Sequence, residues 1–569
     1  MNAPTPALVA SPERLRLVGQ KRRDLAIIHQ RLMLGLILFA CGITVIALRL
    51  TYLSIFGDST GRVQGVAGYM PARGDIVDRD GEPLARSIDA WTIAVQPGKV
   101  IGNKLDLARK LAAIMPEKDE AAYYELLTSK KSFVYLQRRA SPSLVEAVNA
   151  LGEPGVQLTR EPDRLYPQTT LAAHVIGYTD VDGNGVAGAE AAFNDQLTDA
   201  ATRGTPVQLS ISSRIQLALR AELAKAMETY SAIGAAGVIM DIHTGEILAL
   251  TSLPQLNPNI AGQGSPEARF NRASLGVYEL GSTFKPFTVA MAMDAGVIKS
   301  MGQVYNCPKS LTVGRHTIND THPFGRSCTV AEIMKESSNI GTAQIAQQLG
   351  ATRQKAFLKK MGFLDRLELE LPERGRTLTP GNNWSEISTL TVGYGHGIAV
   401  TPVHLATGYA TLFNGGLYRP ATILKVGPGH PVPQGRRVFT EDTSYRMRAL
   451  LRLVVKEGTG RKADAPGYRV GGKTGTAEKL IGGRYSKTVV VTSFAGVFPI
   501  DEPRYVAVVM LDEPQGTAET YGFRTAGWNV APVVSHTISR IAPMLGVRPD
   551  TNREPNMDEV MPYVHEDGE

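Results

Sequence analysis

Leu280-Gly281-Ser282-Thr283-Phe284-Lys285-Pro286-Phe287 is the stretch on which the reading of this chain turns. A glycine precedes Ser282, and the residues after it suit a helix, so Ser282 is expected near a helix N-terminus. Pro286 fits there, because a first-turn N–H has no intrahelical acceptor to lose. Helical spacing puts Ser282 and Lys285 on one face, one turn apart. A serine hydroxyl is a weak nucleophile until a neighbouring base takes its proton. A lysine can be that base if burial and a second cation disfavour its ammonium form. Alone, a Ser-x-x-Lys pattern is more often a solvated helix end.

Working outward, two further short patterns occur once each. Ser337-Ser338-Asn339 falls in a turn between the helical runs AEIMKE and IGTAQIAQQL, where Ser and Asn also serve as ordinary caps. Lys473-Thr474-Gly475-Thr476 is expected just ahead of a strand. Its glycine would admit a substrate backbone, or mark a bulge or tight turn. Lys473 is the natural second cation for Lys285.

The surrounding pattern is α+β. AAGVIMD, a turn at His243-Thr244-Gly245, and EILALTS read as a hairpin. KTVVVTSFAGVFP and RYVAVVMLDEP read as later strands, with helical character over 283–295, 329–349 and 442–457 between. A long helical insert between strands of one sheet is not an alternating βαβ plan. Residues 100–160 alternate short amphipathic helices with turns.

Residues 32–48 run seventeen positions without a charge, and Arg49 can snorkel to lengthen them into a membrane span. Six basic residues against two acidic ones precede the span, which predicts a cytoplasmic N-terminus and an external remainder. From Pro549 onward seven acidic residues face one arginine, and this tail is expected to be flexible. Between the tails the charge is balanced and carries no basic, aromatic-interleaved stripe, which argues against nucleic acid. Cys41 lies in the span; Cys307 and Cys328 could form a disulfide or remain two separate thiols. No spacing suggests a metal, nucleotide or flavin, so no cofactor is expected. His174 and His243 read as loop residues, His396 as a rim residue and Trp384 as packed against the surface.

The three patterns in this order resemble the penicillin-binding proteins. Arg73-Gly74-Asp75-Ile76-Val77-Asp78-Arg79, Asp241-Ile242-His243-Thr244-Gly245-Glu246-Ile247-Leu248-Ala249 and Asn271-Arg272-Ala273 look like the class B branch. Gly393-Tyr394-Gly395-His396-Gly397-Ile398-Ala399-Val400-Thr401-Pro402 is most similar to its septal, FtsI-type members. Leu280 departs from the proline the family often has before Gly-Ser. The resemblance covers the chain from the anchor to about residue 545. It implies a basic tail (1–31), an anchor (32–56), a pedestal module (57–215), a penicillin-binding transpeptidase domain (216–548) and an acidic tail (549–569). It implies a D,D-transpeptidase that cross-links peptidoglycan at the septum from outside the inner membrane and is the target of β-lactams. Ser282 would be the nucleophile, Lys285 its base, and Ser337 a proton shuttle, aided by Lys473. Asn339 would hold the peptide, and Lys473, Thr474, Gly475 and Thr476 would line the site of the terminal carboxylate. An FtsW-like glycosyltransferase and other division proteins are the implied partners. An elongation-specific transpeptidase, and a β-lactam hydrolase or sensor of the same fold, are the alternatives.

Overall fold

The computed structural model describes residues 30–48 and 72–565. The predicted basic tail, Arg49 and the linker before residue 72 lie outside them. Gln30–Leu48 is one helix with a mean hydropathy of 2.3, long and apolar enough to cross a membrane. Its Thr44 hydroxyl is satisfied by the carbonyl of Ala40, 2.8 Å away.

In the N-terminal module the long strand Pro83–Val95 pairs antiparallel with Val134–Ala140, Val156–Leu165 and Ile76–Val77. Ile76–Val77 in turn pairs in parallel with Val207–Gln208. Helices Lys104–Ile114, Glu120–Thr128 and Pro142–Asn149 are capped by Asn103, Asp119 and Ser141. Their apolar stripes, including Leu107, Leu111, Tyr123 and Val148, close over Ile93, Val95 and Leu136 of the sheet. The centre of the module is ionic. Glu190 is fully buried and gives one oxygen to Arg73 Nε and the other to Arg164 Nε, both at 2.6 Å. Arg73 also donates to Asn194 and to the carbonyl of Glu190, and Arg164 to the carbonyl of Gly74. Asp78 ties the first strand to the start of the helix that leads into the domain: its Oδ1 accepts from the N–H groups of Asp80 and Glu82, and its Oδ2 from the Ser213 hydroxyl at 2.7 Å.

Helix Ser213–Thr229 leads into a fully antiparallel five-stranded sheet. The spatial order is Gly471–Ile481, Arg484–Phe498, Tyr505–Asp512, Gly234–Asp241, Ile247–Leu253. Both faces are covered, and alternate residues divide between them as the two-residue period requires. Ala235 and Ile239 meet Leu219, Leu223, Val534 and Ile538 of two covering helices. Val238 and Met240 join a larger helical layer with Phe287, Tyr409 and Leu450. That layer contains Lys285–Asp294, Val330–Lys335, Asn339–Leu349, Pro402–Phe413 and Glu441–Lys456.

Three expectations are corrected. Lys473-Thr474-Gly475-Thr476 lies within the strand Gly471–Ile481 rather than ahead of it, because glycines and polar residues hide the strand pattern where it borders the nucleophile segment. Residues 550–565 pack instead of forming a loose tail. Their acidic groups neutralise arginines of helix Glu441–Lys456: Glu554 meets Arg452 at 2.7 Å and Glu559 meets Arg446 at 3.0 Å. Val560 is buried, and the Thr329 hydroxyl donates to the Tyr563 carbonyl. His174 is no loop residue; it is buried on the single turn Ala173–Ile176, with Nε2 2.7 Å from the Ala268 carbonyl.

Cys307 and Cys328 form a disulfide with Cα atoms 5.8 Å apart. It bridges the paired strands Val304–Cys307 and Arg326–Thr329, and encloses the small hairpin Ser310–Val313/His316–Asn319. Closing a loop of this length stabilises a fold by about 3 kcal/mol in the chain-entropy account.

Candidate active site

Ser282 lies in the tight turn Gly281–Phe284, and Lys285 opens the helix Lys285–Asp294 with Pro286 in its first turn. The turn is anchored from beneath: the Thr283 hydroxyl donates to the Leu280 carbonyl, and Tyr409 Oη donates to the Thr283 carbonyl at 3.0 Å. Thr288 ties the next turn to Gly393, 2.7 Å away. Ser282 itself is partly exposed, whereas Lys285 is wholly buried.

Glycine allows the walls to close on this turn. A Cβ at Gly475 would stand 2.2 Å from the Leu280 carbonyl oxygen, so any side chain there would push the motif strand off the nucleophile segment. Gly475 thus serves the contact with Leu280, beyond any room it leaves for substrate. Gly395, at φ +86°, faces Gly281 with the same lack of room.

Lys285 Nζ donates to Ser337, to both its carbonyl oxygen and, at 3.1 Å, its hydroxyl. Among the described residues Lys285 forms no ion pair. Burial pushes its pKa well below the ordinary lysine range, and the charge of Lys473 pushes the same way, while Asp320 opposes both. Lys473 is equally buried, with Nζ 3.3 Å from the Thr474 carbonyl and 3.4 Å from the Thr459 hydroxyl. Burial holds it down to about 7 against the pull of Glu336. Burial thus disfavours the ammonium form of both lysines, and a neutral amine can accept a proton.

Ser337 sits in the left-handed region at φ +63°. Ser338 caps helix Asn339–Leu349 by accepting from the Gly341 N–H. Asn339 lies at the cleft, but its amide nitrogen is already engaged with the Asn319 carbonyl at 2.9 Å, and it does not touch Lys285. The Thr474 and Thr459 hydroxyls meet at 2.8 Å, and Thr476 Oγ1 accepts from the Ala526 N–H, which leaves its own hydrogen to donate.

Sequence reasoning missed three contributors. Asp320 accepts from Ser338 Oγ and from the Asn339 and Ile340 N–H groups. Thr459 bridges toward Lys473. Glu279 accepts from the Gly397 N–H and from Tyr485 Oη, both at 3.0 Å, and burial raises its pKa. Only Glu279 had a sequence signal, its place three residues before Ser282. His396 stacks obliquely on Tyr394 and edge-on to Tyr485, and burial, with the charge of Lys285, holds its ring down to about 4. It is a neutral member of the cleft wall. Trp384 packs partly against the main core and donates to the Gly381 carbonyl.

Comparison with known proteins shows the family. Residues 235–534 match the profile described as the penicillin binding protein transpeptidase domain, and residues 69–203 that of the penicillin-binding protein dimerisation domain. A relative from Caulobacter vibrioides, named a probable peptidoglycan D,D-transpeptidase FtsI, is 40% identical over 87% of this chain and 84% of its own length. The peptidoglycan D,D-transpeptidase FtsI of Escherichia coli is 32% identical, with 86% of each chain covered. Among solved structures, penicillin binding protein 3 of Mycobacterium tuberculosis in complex with aztreonam superposes with a TM-score of 0.67 at 26% identity, covering 84% of this chain and 97% of that one.

Proposed function

The chain belongs to the penicillin-binding protein transpeptidases, and from that premise we propose how its own residues carry the reaction. It is a peptidoglycan D,D-transpeptidase of the FtsI type. Ser282 Oγ attacks the carbonyl carbon of the penultimate D-Ala of a stem pentapeptide, and Lys285 takes the hydroxyl proton. The N–H groups of Ser282 and Thr476 receive the negative charge that develops on the carbonyl oxygen, as fixed donors that act most strongly in the transition state. The tetrahedral centre collapses, the C–N bond breaks, and the terminal D-Ala leaves as an amine with a proton relayed through Ser337 with the help of Lys473. An amine of a neighbouring stem peptide then attacks the Ser282 ester, forms the cross-linking amide and returns the serine. Lys473, Thr474 and Thr476 hold the terminal carboxylate, and the Asn339 side chain borders the peptide. A β-lactam enters the same way and leaves a stable ester, because its leaving group stays attached.

One observation carries these roles: Lys285 is fully buried, unpaired with any carboxylate among the described residues, and bonded to Ser337 one turn from Ser282. An edge position suits the motif strand to its task, since an extended peptide can line up along an unpaired strand.

The helix Gln30–Leu48 is read as an uncleaved anchor, with the basic segment before it cytoplasmic and all that follows outside the inner membrane. Residues 57–215 form the pedestal and 216–548 the catalytic domain. The septal assignment carries with it an FtsW-like glycosyltransferase and other division proteins as partners, and the small residues Gly35, Gly42 and Thr44 permit close helix contact within the membrane.

Gel labelling of membranes with a fluorescent penicillin tests the nucleophile. Wild type gives a long-lived covalent band and Ser282→Ala gives none. A band of equal strength in the variant would remove Ser282 from the mechanism, and a band that decays within seconds in wild type would mean hydrolysis rather than transfer.

A further inference from the structure

We infer that the segment 550–565 is a positioning strap for this reaction: it runs behind the cleft and pins, in order, the three elements that deliver Lys473, Thr459 and Ser337. The inference rests on Ser282 as nucleophile and Lys285 as its base.

The first pin is on the approach to the motif strand. The Asp550 N–H donates to the Gly467 carbonyl at 2.8 Å, and Arg469 Nη1 donates to the Asp550 carbonyl at 3.1 Å. Arg553 Nε lies 2.6 Å from Asp501 Oδ2, and the other oxygen of Asp501 takes Arg469 Nε at 2.7 Å. The second pin is on the helix Glu441–Lys456, which ends just before Thr459. Glu554 accepts from Arg452 Nε and Nη2, both at 2.7 Å. Arg452 Nη1 reaches on, at 2.8 Å, to the carbonyl of Val470, the last residue before the motif strand. Glu559 accepts from Arg446 at 3.0 Å. The third pin is on the helix Val330–Lys335, which leads into Ser337. Val560 is buried in the main core, and the Tyr563 ring presses on Gly302, where a Cβ would stand 2.5 Å from it. The Thr329 hydroxyl donates to the Tyr563 carbonyl at 2.7 Å. His565 Nδ1 lies 2.9 Å from Glu332, which completes the capping box of that helix.

The strap is held at points rather than along its length. A cavity of about 250 Å³ separates it from the helix Glu441–Lys456, with Tyr445, Arg448 and Ala449 on one side and Pro555 and Asn556 on the other. Ion pairs spaced around a cavity bury little apolar area and add little to stability, but they fix where each element stands. On the cleft side the same elements end in reacting groups. Thr459 Oγ1 is 3.4 Å from Lys473 Nζ, and Ser337 Oγ is 3.1 Å from Lys285 Nζ. A displacement of about 1 Å, even one that starts far from the chemistry, can cost about a hundredfold in rate. Lys285 is faced by Lys473 from the motif strand, by His396 from the 393–397 loop and by Asp320 from the residue after His316–Asn319, with Glu336 facing Lys473 in turn. Burial and Lys473 disfavour the protonated form of Lys285, and Asp320 favours it. A loosened strap that lets Lys473 recede or water enter therefore raises the pH at which Lys285 becomes a competent base.

The test measures the second-order rate of acylation by a fluorescent penicillin from pH 5 to 9, using the full-length protein in detergent, beside the fraction of molecules labelled at saturation. Val560→Asp sets a charge in the apolar seat and lifts the third pin. Its rate falls about tenfold and the acidic limb of the profile moves to higher pH, while the labelled fraction keeps its wild-type value. Glu554→Ala removes the second pin but leaves Arg452 its bonds to Asp464, so the fold survives and the same two changes follow at smaller size. Val560→Ile keeps the apolar seat and the wild-type profile. Should Val560→Asp fail to fold, Glu554→Ala decides alone. Wild-type rates and limbs in the variants overturn the inference. A rate loss equal at every pH with the limb unmoved, or a loss confined to the labelled fraction, also overturns it and makes the segment a stabilising element alone. Ser282→Ala runs alongside: labelling there removes the nucleophile itself, an outcome distinct from any change confined to the strap variants.

Discussion

Arg73 and Arg164 in the N-terminal module and Lys285 and Lys473 in the catalytic cleft are two pairs of basic side chains taken almost wholly out of water. The module sets a buried carboxylate, Glu190, between its arginines, one oxygen to each. Among the described residues the cleft gives its lysines only hydroxyl and carbonyl oxygens: Ser337 for one, Thr459 and Thr474 for the other. The choice of residue matches the treatment. Arginine keeps its proton under protein conditions, so a buried arginine needs a counter-charge. Lysine can give the proton up when desolvated, so an unpaired lysine becomes a neutral amine and hence a base. The same physical cost fixes geometry in one place and creates reactivity in the other.

Lys285→Met presses this contrast hardest. The variant loses acylation by about 10³-fold or more, the scale of a missing general base, while its unfolding free energy stays level or rises, because an apolar chain replaces an unpaired buried amine. Chemical denaturation beside penicillin labelling checks both halves. A loss of several kcal/mol in stability would make this lysine structural, like the arginines. Glu190→Ala should behave in the opposite sense. It strands two buried guanidinium groups and costs about 3–5 kcal/mol, seen as lower soluble yield and an earlier denaturation midpoint. The molecules that remain folded acylate at the wild-type rate, and an unaltered midpoint would dissolve the comparison from the module's side.

The smallest effect lies in pH. A lysine held near 7 when folded, as Lys473 is, titrates near 10.4 when unfolded. Between these values the unfolded chain binds the extra proton, so stability rises with pH across that window, by up to about 1.4 kcal/mol per pH unit. Below about 7 both states are protonated and the slope vanishes. Lys473→Met removes this contribution, so the gain in stability from pH 7.5 to 9.5 is smaller than in wild type. An identical gain in both proteins would mean that Lys473 stays protonated inside.

How far the sequence could foretell this depends on where each interaction closes. The gathering of Ser337 and Lys473 around Lys285 was legible because the chemistry restricts residue type at short spacing. The hairpin Gly234–Asp241/Ile247–Leu253 was legible because its turn and its β-branched strands are local. Asp320 was not, since its partners lie eighteen to twenty residues away and no pattern links them. The acidic run after Pro549 was misread for a related reason. Its counter-charges, Arg446 and Arg452, sit about a hundred residues upstream, so composition alone suggested a solvated tail. The motif strand was placed too late because Gly471, Gly472 and Gly475 serve close packing and erase the alternation that marks a strand.

The bond between Cys307 and Cys328 also has a bearing on when the enzyme becomes complete. In a reducing compartment the two sulfurs stay as thiols, and the segment between them is held by packing and by the hydrogen bonds of Asp320. In an oxidising compartment the covalent brace closes around the segment that carries Asp320. Maturation is thereby tied to redox surroundings: a reduced copy carries every reactive group and lacks the brace, and an oxidised one has both.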